Sequence, residues 1–149
     1  MTSLFANLPE ERAAALDQRI HDLLIGKPGG RFGSSLNDKE KAVLRGIRYH
    51  RSSAQPVTIR ELIQKTKLDA RAIKNAVRSL RLSYDIPVGA SRDGEEGGYF
   101  LMLNREDLDL FLASALRQIQ GELQVVRAVG GSSAAQELLG QLALDEVPA

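Results

Sequence analysis

The stretch TIRELIQKTKLDARAIKNAVRSLR, residues 58–81, decides the reading, because it holds two helix starts in close succession. Thr58 followed by Glu61 is a capping pair, and Ile59, Leu62 and Ile63 give the helix behind it an apolar face. That helix is short. Thr66-Lys67-Leu68 reads as a tight turn with one apolar plug, and Asp69 is an N-cap whose carboxylate can take an orphan backbone N–H. The next helix is predicted to run from Asp69 to about Leu82. The spacing is that of a helix-turn-helix.

The two faces of this last helix separate at a period of 3.6 residues. Ile73, Ala76, Val77 and Leu80 fall on one side, where they can pack. Arg71, Lys74, Asn75, Arg78 and Arg81 fall on the other. An ordinary solvated face interleaves carboxylates with its cations at i and i+4. Here no acid follows Asp69 until Asp85. Guanidinium groups can pair bidentately with guanine edges, amides with adenine, and the remaining cations neutralise phosphates, so the stripe suits the major groove of duplex DNA.

Working outward, Asn37 with Glu40 forms another reciprocal cap, and Val43, Leu44 and Ile47 supply an inner face that leaves Lys41, Arg45 and Arg48 to solvent. This helix is expected to fade near Ser52. Pro56-Val57 then forbids helix and reads as a short extended piece. On the other side of the decisive stretch, Ile86-Pro-Val88-Gly and Tyr99-Phe-Leu-Met-Leu103 are β-prone runs joined by the turn-rich SRDGEEGG, which predicts a hairpin. Three short helices and a hairpin make a mainly α fold with a small β-hairpin.

With those motifs in place, residues 58–81 together with IPVGASRDGEEGGYFLMLN, residues 86–104, resemble the winged helix-turn-helix DNA-binding proteins of bacteria and phages. The carriers are the helix-turn-helix, its Leu-Arg ending, an Ile-Pro strand and a Gly-Gly-Tyr strand return. The resemblance covers a little under half of the chain. It implies that the third helix of residues 37–104 enters the major groove with Arg71, Lys74, Asn75, Arg78 and Arg81, and that Arg92 on the wing meets the backbone or minor groove. Asp93, Glu95 and Glu96 depart from that pattern by making the wing tip acidic. The fold serves transcriptional regulators, replication and packaging factors of mobile elements, and protein-binding modules alike.

The flanks have their own signals. Asn7 and Glu10 around Pro9 start a helix with Ala13, Leu16, Ile20, Leu23 and Leu24 on one face, and Gly26 with Pro28 stops it. This gives an amphipathic arm over residues 1–26. GKPGGRFGSS, with glycine at four of ten positions, reads as a flexible linker over residues 27–36. Past the domain at residues 37–104, Asn104 with Asp107 caps a helix over residues 105–130. Its Leu112, Leu116, Ile119, Leu123 and Val126 recur at four and three, a seam for a homodimer or for packing within the chain. Gly121 weakens that helix, and Gly130-Gly131 breaks it. Ser133 with Gln136 opens a terminal helix over residues 131–149 bearing Leu138, Leu139, Leu142 and Leu144, a docking peptide for a protein partner or a plain terminal helix.

Composition bounds the function classes. The 149 residues are 43% hydrophobic, enough for one proper core. Cysteine is absent, which removes disulfides, thiolate metal sites and a cysteine nucleophile and sits with a reducing cytoplasm. No apolar run approaches a membrane span and no secretory signal is recognisable, so a cytoplasmic, nucleoid-associated protein is expected. The net charge is only +1, but it is unevenly spread. Residues 1–36 carry four basic and four acidic side chains, residues 37–104 thirteen and eight, and residues 105–149 three and seven, for charges of 0, +5 and −4. A basic centre beside an acidic tail suits a polyanion partner for one region only. His21 and His50 have no metal-ligand spacing, and no serine sits in a nucleophile elbow, so no catalysis, metal or cofactor is expected. Two classes remain: a sequence-specific duplex DNA-binding protein, and a winged-helix module for protein partners.

Overall fold

The structure is a computed structural model and describes residues 10–91 and 97–146. It is mainly helical with a small three-stranded antiparallel sheet. The order is α1 (Glu10–Leu24), α2 (Asp38–Ile47), β1 (Val57–Thr58), α3 (Ile59–Thr66), α4 (Ala70–Tyr84), β2 (Val88–Ser91), β3 (Gly98–Leu101) and α5 (Arg105–Glu146). The chain divides into two compact units, Met1–Asp109 and Leu110–Ala149.

In the first unit the helix starts follow the capping chemistry. Asn37 Oδ1 accepts from Glu40 N at 2.8 Å and Glu40 Oε1 accepts from Asn37 N at 2.9 Å. Thr58 Oγ1 accepts from Glu61 N at 3.1 Å, and Asp69 from Ala72 N at 2.8 Å. Between α3 and α4, Lys67 takes a left-handed conformation at φ 61° while Thr66 Oγ1 accepts from Leu68 N. Leu68 then turns inward against the core. α2 ends at Ile47, earlier than the fade expected near Ser52.

The core joins Val43, Leu44 and Ile47 of α2, Leu62 of α3, and Ile73, Val77 and Leu80 of α4 to Val57, Val88 and Leu101 of the sheet. The extended piece at Val57 is more than a connection: β1 pairs with β3, Val57 opposite Tyr99, and β3 pairs with β2, Val88 opposite Leu101. The sheet order is therefore β1-β3-β2. Gly98 is needed at the crossing, since a Cβ there would lie 2.8 Å from the Val57 carbonyl oxygen.

Two expectations about the flanks change. α1 belongs to the same core, with Leu16, Ile20, Leu23 and Leu24 buried in it and Arg51 gripping Asp17 through two bonds of 2.9 and 3.1 Å. The arm is a structural part of the first unit. Residues 27–36 are also not a free linker. Gly29 and Gly30 N–H groups converge on the Ser34 carbonyl, Arg31 N donates to the Ser83 carbonyl at 2.9 Å, Ser34 Oγ meets Tyr84 Oη at 3.1 Å, and Leu36 is buried. The glycines serve a tight turn, with Gly33 at φ 73°, that fastens α1 to the end of α4.

α5 starts on a cap, Asn104 Oδ1 accepting from Asp107 N at 2.7 Å. The Asp107 carboxylate reaches back to the cap residue of its own helix and also ties that helix to the loop before β1. It is buried and accepts from Ser53 N at 3.1 Å, Ser53 Oγ and Asn104 Nδ2. The helix passes through Gly121, and its break comes at Gly131 alone, at φ 84° and ψ 175°. The helix resumes directly after it. Among the described residues no helix is long and apolar enough to cross a membrane.

Candidate nucleic-acid interface

α4 buries Ile73, Ala76, Val77, Leu80 and Tyr84. That leaves Arg71, Lys74, Asn75 and Arg78 exposed on the remaining face. Among the described residues none of these four side chains has a hydrogen-bond or ion-pair partner, in contrast to Arg51, Arg31 and Lys27, which do. Asp69, the last acid before the stripe along the chain, holds the Ala72 N–H at the helix start. Three cations and an amide are therefore presented in water with their donors unspent.

Arg81 differs from the other cations in the stripe. Its Nε donates to the Val88 carbonyl at 2.8 Å, and the guanidinium lies half-buried beside Tyr99. Burial lowers its pKa, with the neighbouring Tyr99 pulling the other way, and burial raises that of Tyr99, with Arg81 opposing. Arg81 is a strut between α4 and the hairpin. Arg81, expected in the groove with the other four, differs from them in being half-buried with its Nε engaged. Arg92 lies outside the described residues.

The structure adds two cations that the sequence reading did not single out. Lys65 at the end of α3 and Lys67 in the following turn are exposed and make no described pair, and they lead directly into the start of α4. The signal was there in Lys-Thr-Lys before the Asp69 cap. α4 and the start of α2 border a surface depression of about 470 Å³ whose lining includes Lys39, Glu40, Asp69, Arg71 and Asn75. The Glu40 carboxylate is already committed to Asn37 N and to the Ser79 hydroxyl.

In the second unit the seam residues lie in water to different degrees. Leu112, Leu116 and Ile119 are exposed, while Leu123 and Val126 are half-buried. His50 Nδ1 lies 2.9 Å from the Gln55 carbonyl oxygen. Among the described residues no group of three or more His, Asp or Glu side chains is placed to hold a metal ion. No protein-family model, no curated protein and no solved structure matches the chain.

Proposed function

We propose that the protein is a winged helix-turn-helix protein that binds duplex DNA sequence-specifically, with α4 as the recognition helix in the major groove. The observation that carries this is the unpartnered face of Arg71, Lys74, Asn75 and Arg78, which carries no acid. The order α2-β1-α3-α4-β2-β3, with β1 completing the sheet behind a tight α3–α4 turn, supports the same reading. Arg78 and Asn75 read base edges in it, the one by a forked pair to guanine and the other to adenine. Lys65, Lys67 and Lys74 neutralise phosphates. A transcriptional regulator, or a replication or packaging factor of a phage or mobile element, uses such a head, and no cofactor is required.

The test is selection of bound duplexes from a random pool at near-physiological salt. A reproducible motif is the expected outcome, and the slope of log affinity against log salt shrinks by about 0.9 in Lys74→Ala. A pool that returns no motif, from a protein with little duplex affinity even at low salt, would instead make this a protein-binding module.

A further inference from the structure

The second unit leaves large apolar side chains in water on both sides of Gly131. On the stretch before Gly131, Leu112, Leu116 and Ile119 are between 51% and 55% exposed; after it, Leu138, Leu139 and Leu142 are 38%, 43% and 53% exposed. Cover is greatest beside the kink, where Ala135 is buried and Leu123, Val126 and Ala134 are half-buried, and it falls away in both directions. Such a pattern is what two helical segments give when they meet at a turn and have nothing against their outer halves.

We propose that a second copy of this chain covers those side chains, each copy contributing the segments before and after Gly131 to a four-helix bundle. Three observations favour a second copy. The six exposed side chains leave roughly 500 Å² of apolar surface per copy, about 1,000 Å² for a pair, which matches the apolar share of a standard-size stable interface. Spacing of four and three puts Leu116 and Leu123 at a positions and Leu112, Ile119 and Val126 at d positions. Leucine at both a positions, with β-branched Ile119 and Val126 at two of the three d positions, departs from the arrangement favouring two strands and leans toward higher order. A chain with two segments reaches four strands by pairing once, and the same patch on both copies closes under a two-fold axis with no surface left over.

Gly131 makes the arrangement possible. Its φ of 84° with ψ of 175° is open to glycine and strained for other residues. The proposal does not rest on DNA binding, and its test reads mass alone. Sedimentation equilibrium of the full chain is expected to give twice the 16.3 kDa chain mass. Leu116→Glu and Leu142→Glu, each made singly at an exposed position, are each expected to return it to the monomer, with helical circular dichroism and the melting of the first unit retained. Leu142→Glu is the discriminating variant, because a two-stranded zipper over residues 112–126 would not feel it. A monomer at tens of micromolar, a mass of three or four chains, or a dimer indifferent to Leu142→Glu would overturn the four-helix pairing.

Discussion

Arg78 and Arg81 sit three residues apart on α4, the one exposed and the other engaged with Val88, so the pair of alanine variants tests the proposed assignment. Arg81→Ala removes a charged donor from the Val88 carbonyl and a packed guanidinium from beside Tyr99. A desolvated charged hydrogen bond contributes about 1.5–3 kcal/mol, and half-burial reduces the expected loss to about 1–2 kcal/mol. At about 4 °C per kcal/mol for a unit of this size, the melting temperature falls by roughly 4–8 °C. Arg78→Ala removes an exposed side chain without a partner, so stability changes by less than about 0.5 kcal/mol. Its cost is expected in binding: a lost forked pair to guanine is about 1–3 kcal/mol, roughly 5–150-fold in affinity for the selected duplex and little for random sequence. Calorimetric melts and fluorescence-anisotropy titrations of both variants at one salt concentration decide the matter. An Arg78→Ala protein that melts early yet binds normally, or an Arg81→Ala protein with an unchanged melt and abolished binding, would refute the assignment.

Three further outcomes follow from the first unit. Because burial raises the Tyr99 pKa in the folded protein, folding favours the protonated phenol: stability is intact below the ordinary tyrosine pKa of 10.0 and is lost as pH rises through the folded value. Urea unfolding between pH 8 and 11 is expected to show that loss in the parent and less of it in Tyr99→Phe. Asp107→Ala strips acceptors from Ser53 N, Ser53 Oγ and Asn104 Nδ2, and a drop of about 1–3 kcal/mol should appear in the urea midpoint. Removing residues 1–36 uncovers a core that includes Leu16, Ile20, Leu23, Leu24 and Leu36; at about 1.5–3 kcal/mol per side chain the cost rivals a whole domain's stability, so residues 37–109 alone should show no cooperative unfolding transition by circular dichroism.

Local chemistry was legible and long-range placement was not. The caps at Asn37, Thr58 and Asp69, the buried face of α4 and the hairpin strands all follow from side chains within one helical turn or one strand, where spacing dictates contact. Arg81 shows the limit. Counted from Ile73 it lies about 80° round the helix and Lys74 about 100°, so the periodicity places both at the edge of the apolar face. Lys74 stays in water and Arg81 is taken up because β2 returns past it, a fact set by pairing with β3. The glycine-rich stretch misled for the same reason. Its composition describes an unfolded preference, while its order comes from Ser83, Tyr84 and the pocket for Leu36, all far along the chain or outside the stretch. The amphipathic face of α1 was plain, but its partner could not be read from period alone.

The ties at the end of α4 bear on how Arg78 is held. A helix leaves its last carbonyls without intrahelical donors, and frayed ends let the side chains before them wander. Here Arg31 N reaches the Ser83 carbonyl and Arg19 Nη2 the Tyr84 carbonyl, while Asp85 closes the helix in a left-handed conformation with Ile86 N donating to the Leu80 carbonyl. Both donors that reach Ser83 and Tyr84 come from the N-terminal extension, which itself supplies none of the proposed base contacts. The end of the helix backbone is thus tied down within the chain, and the proposed DNA binding would have only the exposed side chains to order, at about 0.5–1.5 kcal/mol each. A mobile helix would add backbone ordering to that cost and would blur the angle at which a guanidinium meets a base edge. α1 and the glycine turn therefore act at a distance on the face proposed for recognition, by tying down α4 at the end nearest Arg78.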